Sequence, residues 1–373
     1  MEFTVKKQDI AAGLYKAQGV VDRKSTVNIL SHVLIESVSN TQIRLTCTDY
    51  DVVLTGDYSA DVTQPGKIAV GAKSLFEVIK VLPDEPIHIN SMENHWIELT
   101  CGSSRFKLAG LPPEDFPERQ DVQDLKYFSI PKRLFLDLID RTLFSVSHDE
   151  TRPSLNGAFC RVMCDGDEMR VLMASTDGHR LSKAEILGGS SGDFVDSGEA
   201  IIHHKAINEL KRCMEGPDED IRIAFNNSNI HFACDEISLQ VRELDDAFPD
   251  YSKVIPTTNS INIELDRSEF QAAVRRISTL TSAKTHIIRM EIAPGKVILT
   301  SSNPEAGEGH DELPTQYSGE GVAVGFNHRY LQDVLSVIDG EKVIFSINDQ
   351  YATGLLTSPD DEGSLFVIMP MRI

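Results

Sequence analysis

Apolar positions along the chain repeat in a way that first alternates and then steps by a helical turn. Phe3, Val5, Ile10 and Leu14 fall at offsets 0, 2, 7 and 11; so do Phe128, Ile130, Phe135 and Ile139, and again Ile263, Leu265, Phe270 and Val274. A two-residue step followed by four-residue spacing predicts a short strand feeding an amphipathic helix. The copies start 125 and 135 residues apart, which marks an internal repeat.

A second ladder lies midway through each copy. Ile68 to Val70 precedes a helical stretch from Lys73 to Leu82; Ala200 to Ile202 precedes Lys205 to Met214; Val322 to Val324 precedes Asn327 to Ile338. Between the helices, Thr41 to Thr48, Trp96 to Cys101 and Asn229 to Cys234 alternate apolar and polar residues, as half-buried antiparallel strands do. Phe-Pro turns at Phe116 and Phe248 mark the joints between copies. The expectation is an α+β fold of three repeated domains over 1–123, 124–252 and 253–373, each with two helices and antiparallel sheets.

Composition narrows the class. No apolar run reaches the ~18–20 residues of a membrane span, and the first ten residues do not form a signal peptide, so a cytoplasmic protein without membrane partners is expected. The six cysteines are scattered without metal-finger spacing and read as reduced, buried thiols. The net charge of −21 argues against nucleic acid if it is spread evenly. It is not. The helical windows 6–24, 73–82, 131–148, 204–214, 266–284 and 327–338 hold half of the 36 Lys and Arg but only 9 of the 57 Asp and Glu. Helices bearing Lys6, Lys7, Lys16, Arg23, Lys24, Lys73, Lys80, Lys132, Arg133, Arg141, Lys205, Lys211, Arg212, Arg275 and Arg276 would face something anionic, gripping phosphates without reading bases. Ordinary solvated helix faces would give the same composition.

Open antiparallel units leave free sheet edges, and complementary ends of a repeated chain can close head to tail. Arg105, Phe106 and Leu108 are the candidate edge, with Ile277 and Leu280 as its receiver. From pattern alone, Phe106 and Leu108 alternate equally well into their own core.

An enzyme is the alternative. Asp177-Gly178-His179-Arg180 resembles a catalytic cluster, with Ser175 or Ser182 as nucleophile, and His203-His204 could bind metal. Neighbouring residues on one strand point to opposite faces and cannot converge, and no third metal ligand stands at a useful spacing. A hydrolase or metal-dependent enzyme on the repeated scaffold is therefore the second reading; no catalytic residue, metal or cofactor is expected.

Five stretches carry a resemblance: Leu155-Asn156-Gly157; Ala174 to Leu181; Phe248-Pro249-Asp250-Tyr251; Gly325-Phe326-Asn327; and Val367-Ile368-Met369-Pro370-Met371-Arg372-Ile373. In this order, in a three-repeat chain of this length, they resemble the DNA polymerase III beta subunit family, the bacterial sliding clamps. The resemblance covers essentially the whole chain. It implies a homodimeric ring around double-stranded DNA, loaded by a clamp loader complex. It also implies a pocket that takes short peptides of the DNA polymerase III alpha subunit and of other polymerases or repair proteins. Carried over residue by residue, that pocket comprises Leu155, Thr176, Gly178, His179, Arg180, Leu181, Pro249, Val254, Asn327, Tyr330, Val367, Met369, Pro370, Met371 and Arg372. DNA contacts would come from Arg23, Lys24, Lys73, Arg152 and Lys205. His203-His204-Lys205 departs from the family's usual Pro-Arg-Lys-like run. Leu, Val, Met and Pro supply apolar area for such a site. Two buried apolar anchors at ~1.5–3 kcal/mol each, together with backbone hydrogen bonds and less ordering costs, give roughly micromolar affinity.

Overall fold

A computed structural model describes residues 1–22, 26–118, 125–165, 168–189, 197–216, 219–226, 228–282 and 284–372. Among them are six α-helices: α1 (Lys7–Val20), α2 (Ala72–Val81), α3 (Lys132–Thr142), α4 (His204–Cys213), α5 (Arg267–Ser278) and α6 (His328–Val337). Each follows a strand, as the periodicity predicts, and each buries the apolar residues that defined the ladder: Ile10 and Leu14 on α1, Phe135 and Ile139 on α3, Phe270 and Val274 on α5. Two are capped by their own sequence. The Asp266 carboxylate accepts from the Glu269 N–H at 2.9 Å, and the Asn327 side-chain oxygen accepts from the Arg329 N–H at 3.0 Å, satisfying donors that the first turn leaves open.

The chain packs as two compact units. One comprises Met1–Arg133, Gly189–Val195 and Lys205–Glu243; the other comprises Leu134–Gly188, Asp196–His204 and Leu244–Ile373. Their boundaries cut through the middle repeat, and strand pairing is the reason. In the first unit, Ile237–Arg242 of the second repeat pairs antiparallel with Val52–Gln64 of the first, joining their strands into one 13-stranded sheet. In the second unit, Arg180–Leu187 of the second repeat pairs with Asp361–Ile368 of the third within an 8-stranded sheet, and Ile287–Ala293, Lys296–Asn303, Gly307–Pro314 and Val322–Asn327 form a separate 4-stranded sheet. Pairing across repeats removes edges that each repeat alone would expose.

The second unit's core is a continuous cluster including Phe270, Phe326, Phe345 and Phe366, from both its sheets and helices α5 and α6. In the first unit, the Tyr58 ring fills space left by two glycines: a Cβ at Gly13 of α1 would lie 2.6 Å from it, and one at Gly56 would lie 2.7 Å away. Burial is the main force pushing the Tyr58 phenol up, with Cys213 and Cys47 adding to it.

Gly157 is required by a close backbone approach. It opens the strand Gly157–Asp165, which pairs with Gly198–His203, and a Cβ there would stand 2.4 Å from the Ile202 carbonyl oxygen. Gly157→Ala is expected to cost about 2–3 kcal/mol, because backbone must move to admit the methyl group. Urea unfolding checks this; an unchanged midpoint would mean that the strand pair yields freely.

Candidate functional site

The predicted pocket residues all belong to the second unit and are built around one turn. The strand Glu168–Thr176 ends at Thr176 and the strand Arg180–Leu187 begins at Arg180. Asp177 folds the turn between them: its Oδ1 accepts from the His179 N–H at 2.8 Å and from the Arg180 N–H at 3.0 Å. Thr176 Oγ1 accepts from the Gly178 N–H at 3.1 Å and donates to the Arg180 carbonyl at 2.6 Å. Gly178 has φ +88°, in the left-handed region that favours glycine, and a Cβ there would stand 2.9 Å from Arg152 Nη1. The turn's polar groups are thus largely occupied in holding its shape.

The C-terminal segment continues the sheet onto this turn. Leu181 pairs with Val367, both buried, and the Met369 N–H donates to the His179 carbonyl at 2.9 Å. Beyond it, the Met371 N–H donates to the Gly325 carbonyl at 2.8 Å. Two backbone anchors therefore fix the segment at both ends of Met369–Met371. Leu181 and Val367 form a buried floor; Met369 and Arg372 are exposed, while Pro370 and Met371 are half-buried.

Arg180 is enclosed. Its Nε donates to Asp177 Oδ2 at 3.1 Å, Nη1 to Asp333 Oδ2 at 2.5 Å, and Nη2 to the Phe144 carbonyl. The guanidinium lies over the Tyr330 ring at 4.4 Å and the Phe144 ring at 5.3 Å, positions that favour cation–π attraction. Burial pushes the Tyr330 phenol up; Asp177 and Asp333 add to this and Arg180 opposes it. Sequence patterns and resemblance single out Arg180 and Tyr330 but miss Asp333 and Phe144, which hold Arg180 in place.

Other predicted pocket residues stand differently. Leu155 is buried in the short turn Pro153–Leu155, where its carbonyl accepts from the Ser147 N–H at 2.9 Å. Asn327 uses its side-chain oxygen to cap α6. Pro249 and Val254 are exposed on a segment that Phe248 and Tyr251 fasten, their rings lying 5.4 and 6.4 Å from that of Phe159.

The cations divide into two groups. Arg23 and Lys24 lie outside the described residues. Lys73 is exposed in the first turn of α2, together with Lys6, Lys80, Arg133 and Arg275 elsewhere. Arg152 is half-exposed, with Nε 3.4 Å from Asp149 Oδ2. Lys205 is paired with Asp49. Several helix cations that the sequence offers to an anion are committed internally, which corrects the charge reading. Lys7 Nζ donates to the Leu82 carbonyl and Lys132 Nζ to that of Gly216 at 3.3 Å. Arg212 pairs with Glu209 at 3.2 Å and Arg276 with Asp311 at 2.7 Å. Arg141 is buried against three aspartates. A tally of charges along a helix does not register acids that approach from other strands.

The two candidate edge regions also differ from expectation in part. Ser104–Leu108 is the last strand of its sheet. Arg105 and Lys107 stand 4.0 and 3.7 Å from Glu98, and Phe106 is 36% exposed. Phe106 and Leu108 pair with the buried Leu99 and Ile97, so they share the core-facing side while lying at its margin. Ile277 is 3% exposed within the second unit's core, whereas Leu280 keeps part of its surface. Both flank Gly309 of Gly307–Pro314, the last strand of the 4-stranded sheet.

The groups considered for catalysis are otherwise engaged. Ser175 and Ser182 are fully buried; Ser175 Oγ donates to the Thr142 carbonyl, and Ser182 Oγ lies 2.6 Å from Ser145 Oγ. The Asp177 carboxylate serves the turn and Arg180. His203 and His148 lie against His204, at ring distances of 4.3 and 4.8 Å, and the His204 Nδ1–H donates to the Asn156 carbonyl at 3.0 Å. Among the described residues no group of three side chains could hold a metal ion, and no helix is long and apolar enough to cross a membrane.

Repeated helix-and-strand units thus carry a turn, shaped by Asp177 and Thr176, onto which the C-terminal segment is pinned. Residues 1–120, 129–250 and 252–372 match the N-terminal, central and C-terminal domains of the DNA polymerase III beta subunit. The chain belongs to that family. It is similar to the beta sliding clamp of Caulobacter vibrioides, 32% identical over 375 residues with both chains covered completely, and to that of Pseudomonas aeruginosa, 32% identical over 374 residues. Among solved structures, a Caulobacter crescentus beta sliding clamp matches with TM-score 0.94 at 31% identity, and a Bartonella birtlesii sliding clamp bound to griselimycin matches with TM-score 0.93 at 31% identity; each covers 100% of both chains. The chain's function is that of a DNA sliding clamp, a processivity factor without catalytic activity of its own.

Proposed function

We propose that two copies of this chain close head to tail around duplex DNA in the cytoplasm, each divided into domains over 1–123, 124–252 and 253–373. In this reading Lys73, Arg152, Lys205, Arg23 and Lys24 contact phosphates, and the surface from Leu155 and the Thr176–Leu181 turn to Tyr330 and Met369–Arg372 takes peptides of the replicative polymerase, the clamp loader and repair proteins. The observation that carries the docking assignment is the junction of turn and tail: the Met369 N–H on the His179 carbonyl sets exposed Met369 beside a turn whose other side is the enclosed Arg180. The relative from Bartonella birtlesii is bound to griselimycin, and the same compound is the natural probe here. Calorimetric titration of griselimycin, repeated after Leu181→Asp, tests the assignment; equal binding by both forms would remove it.

Closure is supported by charge on two of the strands that end sheets. Ser104–Leu108 carries Arg105 and Lys107, whereas Gly307–Pro314 carries Glu308, Asp311 and Glu312. Opposite signs favour pairing of unlike edges and disfavour like with like.

For DNA, Lys73→Glu combined with Arg23→Glu and Lys24→Glu is expected to shorten retention on nicked circular DNA, most sharply at low salt, where the lost phosphate contacts count most. Removing one phosphate-binding cation lowers the slope of log affinity against log salt by about 0.9. Retention matching the parent protein at every salt concentration would count against helix-borne contacts.

A further inference from the structure

We propose that Asp333 is a positioning residue that sets the docking surface's preference for apolar over acidic peptide side chains; this rests on the docking reading above. In that reading Arg180 lines the docking surface, where an unpaired guanidinium would ordinarily attract a carboxylate from a peptide. Arg180 is barred from doing so by its surroundings. Nε, Nη1 and Nη2 each have a partner, in Asp177, Asp333 and the Phe144 carbonyl, and its side chain is 11% exposed. Two carboxylates face one cation, so the cluster carries a net negative charge and repels a third.

The two acids are not equivalent. Asp177 is 17% exposed and its other oxygen is tied to the N–H groups of His179 and Arg180, so it cannot be altered without disturbing the turn. Asp333 is 42% exposed. Its carboxylate reaches Arg180 from α6, three residues after Tyr330, and Tyr330 lies under the same guanidinium. Asp333 therefore does two things. It takes up Nη1 in a short charge-assisted bond, and it holds the cation over the Tyr330 ring. Without the charge at 333, Nη1 is free for an acid from the ligand, and the cation's position over Tyr330 loses one of its restraints.

The test is a change of preference, which a purely structural role does not produce. Two fluorescent hexapeptides are titrated against the full-length protein, one with two adjacent apolar anchors and one with the first anchor replaced by Glu, with griselimycin as a third probe. In Asp333→Asn, the affinity ratio of apolar to acidic peptide is expected to fall at least tenfold, while Asp333→Glu keeps the parent ratio. An unchanged ratio in Asp333→Asn overturns the proposal, as does an equal loss for all three probes together with a lowered melting temperature, which would mark Asp333 as a structural tie. Failure of the parent protein to bind any of the three would instead reject the docking reading on which the proposal rests.

Discussion

Arg141→Ala is expected to destabilise the unit formed around Leu134–Gly188 and Leu244–Ile373 by about 3 kcal/mol or more, the lower part of the ~3–5 kcal/mol that follows loss of one partner from a buried ion pair. Arg141 sits on α3 and is 9% exposed. Its Nη2 lies 2.8 Å from Asp137 Oδ2 and 2.5 Å from Asp339 Oδ2; Nη1 donates to Asp361 and to Ser364 Oγ at 2.9 Å. Asp137 is a helical neighbour, whereas Asp339 and Asp361 come from the third repeat, so the arginine ties the second repeat to the third within one unit. Alanine would leave three carboxylates converging with no cation. Asp339, 71% exposed, can turn into water, but Asp361, 18% exposed, cannot do so fully, which places the cost toward the lower end. Arg141→Lys keeps the charge but not the planar fork that spans four acceptors, so an intermediate loss is expected. Urea unfolding followed by circular dichroism measures both. A chain of this size need not unfold in one step, so the shift belongs to one transition. An alanine variant with the parent midpoints would show that the aspartates are solvated well enough to need no partner.

What is legible in the sequence follows from the range of the physics involved. Strand-then-helix periodicity is local, and all six helices appear where the apolar ladders place them. The ends are less well read. The helical window over 131–148 overshoots, because α3 stops at Thr142 and the chain tightens into a short turn over Leu143–Ser145. Likewise α1 ends at Val20, short of the window's end at position 24. Pairing across repeats, Ile237–Arg242 with Val52–Gln64 and Arg180–Leu187 with Asp361–Ile368, leaves no local trace, because an alternating strand does not name its neighbour. Asp333 is invisible for the same reason: nothing in the α6 sequence says that one of its acids meets an arginine 153 residues earlier. Lys132 and Arg141 illustrate the converse, since their helix composition reads as solvated charge while contacts from distant segments bury both. The pocket residues themselves become legible only through resemblance; from pattern, Phe366 to Met369 is an ordinary terminal strand.

Deletion of Met369–Ile373 is expected to weaken peptide and griselimycin binding at least a hundredfold while leaving self-association intact. Met369 is 38% exposed beside the turn, and its N–H on the His179 carbonyl and that of Met371 on Gly325 hold the intervening Pro370 against the sheet. Removing the apolar surface of two methionines and a proline takes away roughly the worth of one to two buried anchors, each ~1.5–3 kcal/mol, and a factor of one hundred corresponds to about 2.8 kcal/mol. The deletion stops after Ile368, so the ladder Arg180–Ile368 and Leu181–Val367 stays complete, as does the core beneath it. Neither Ser104–Leu108 nor Gly307–Pro314 includes a deleted residue, so sedimentation should report an unchanged oligomer. Met371→Ala alone removes side-chain area but keeps both backbone anchors, and its smaller loss separates the contribution of apolar area from that of a correctly held tail. Undiminished binding by the truncated protein would place the docking surface elsewhere, whereas loss of both binding and self-association would show that the tail supports the fold more widely than its two backbone bonds imply.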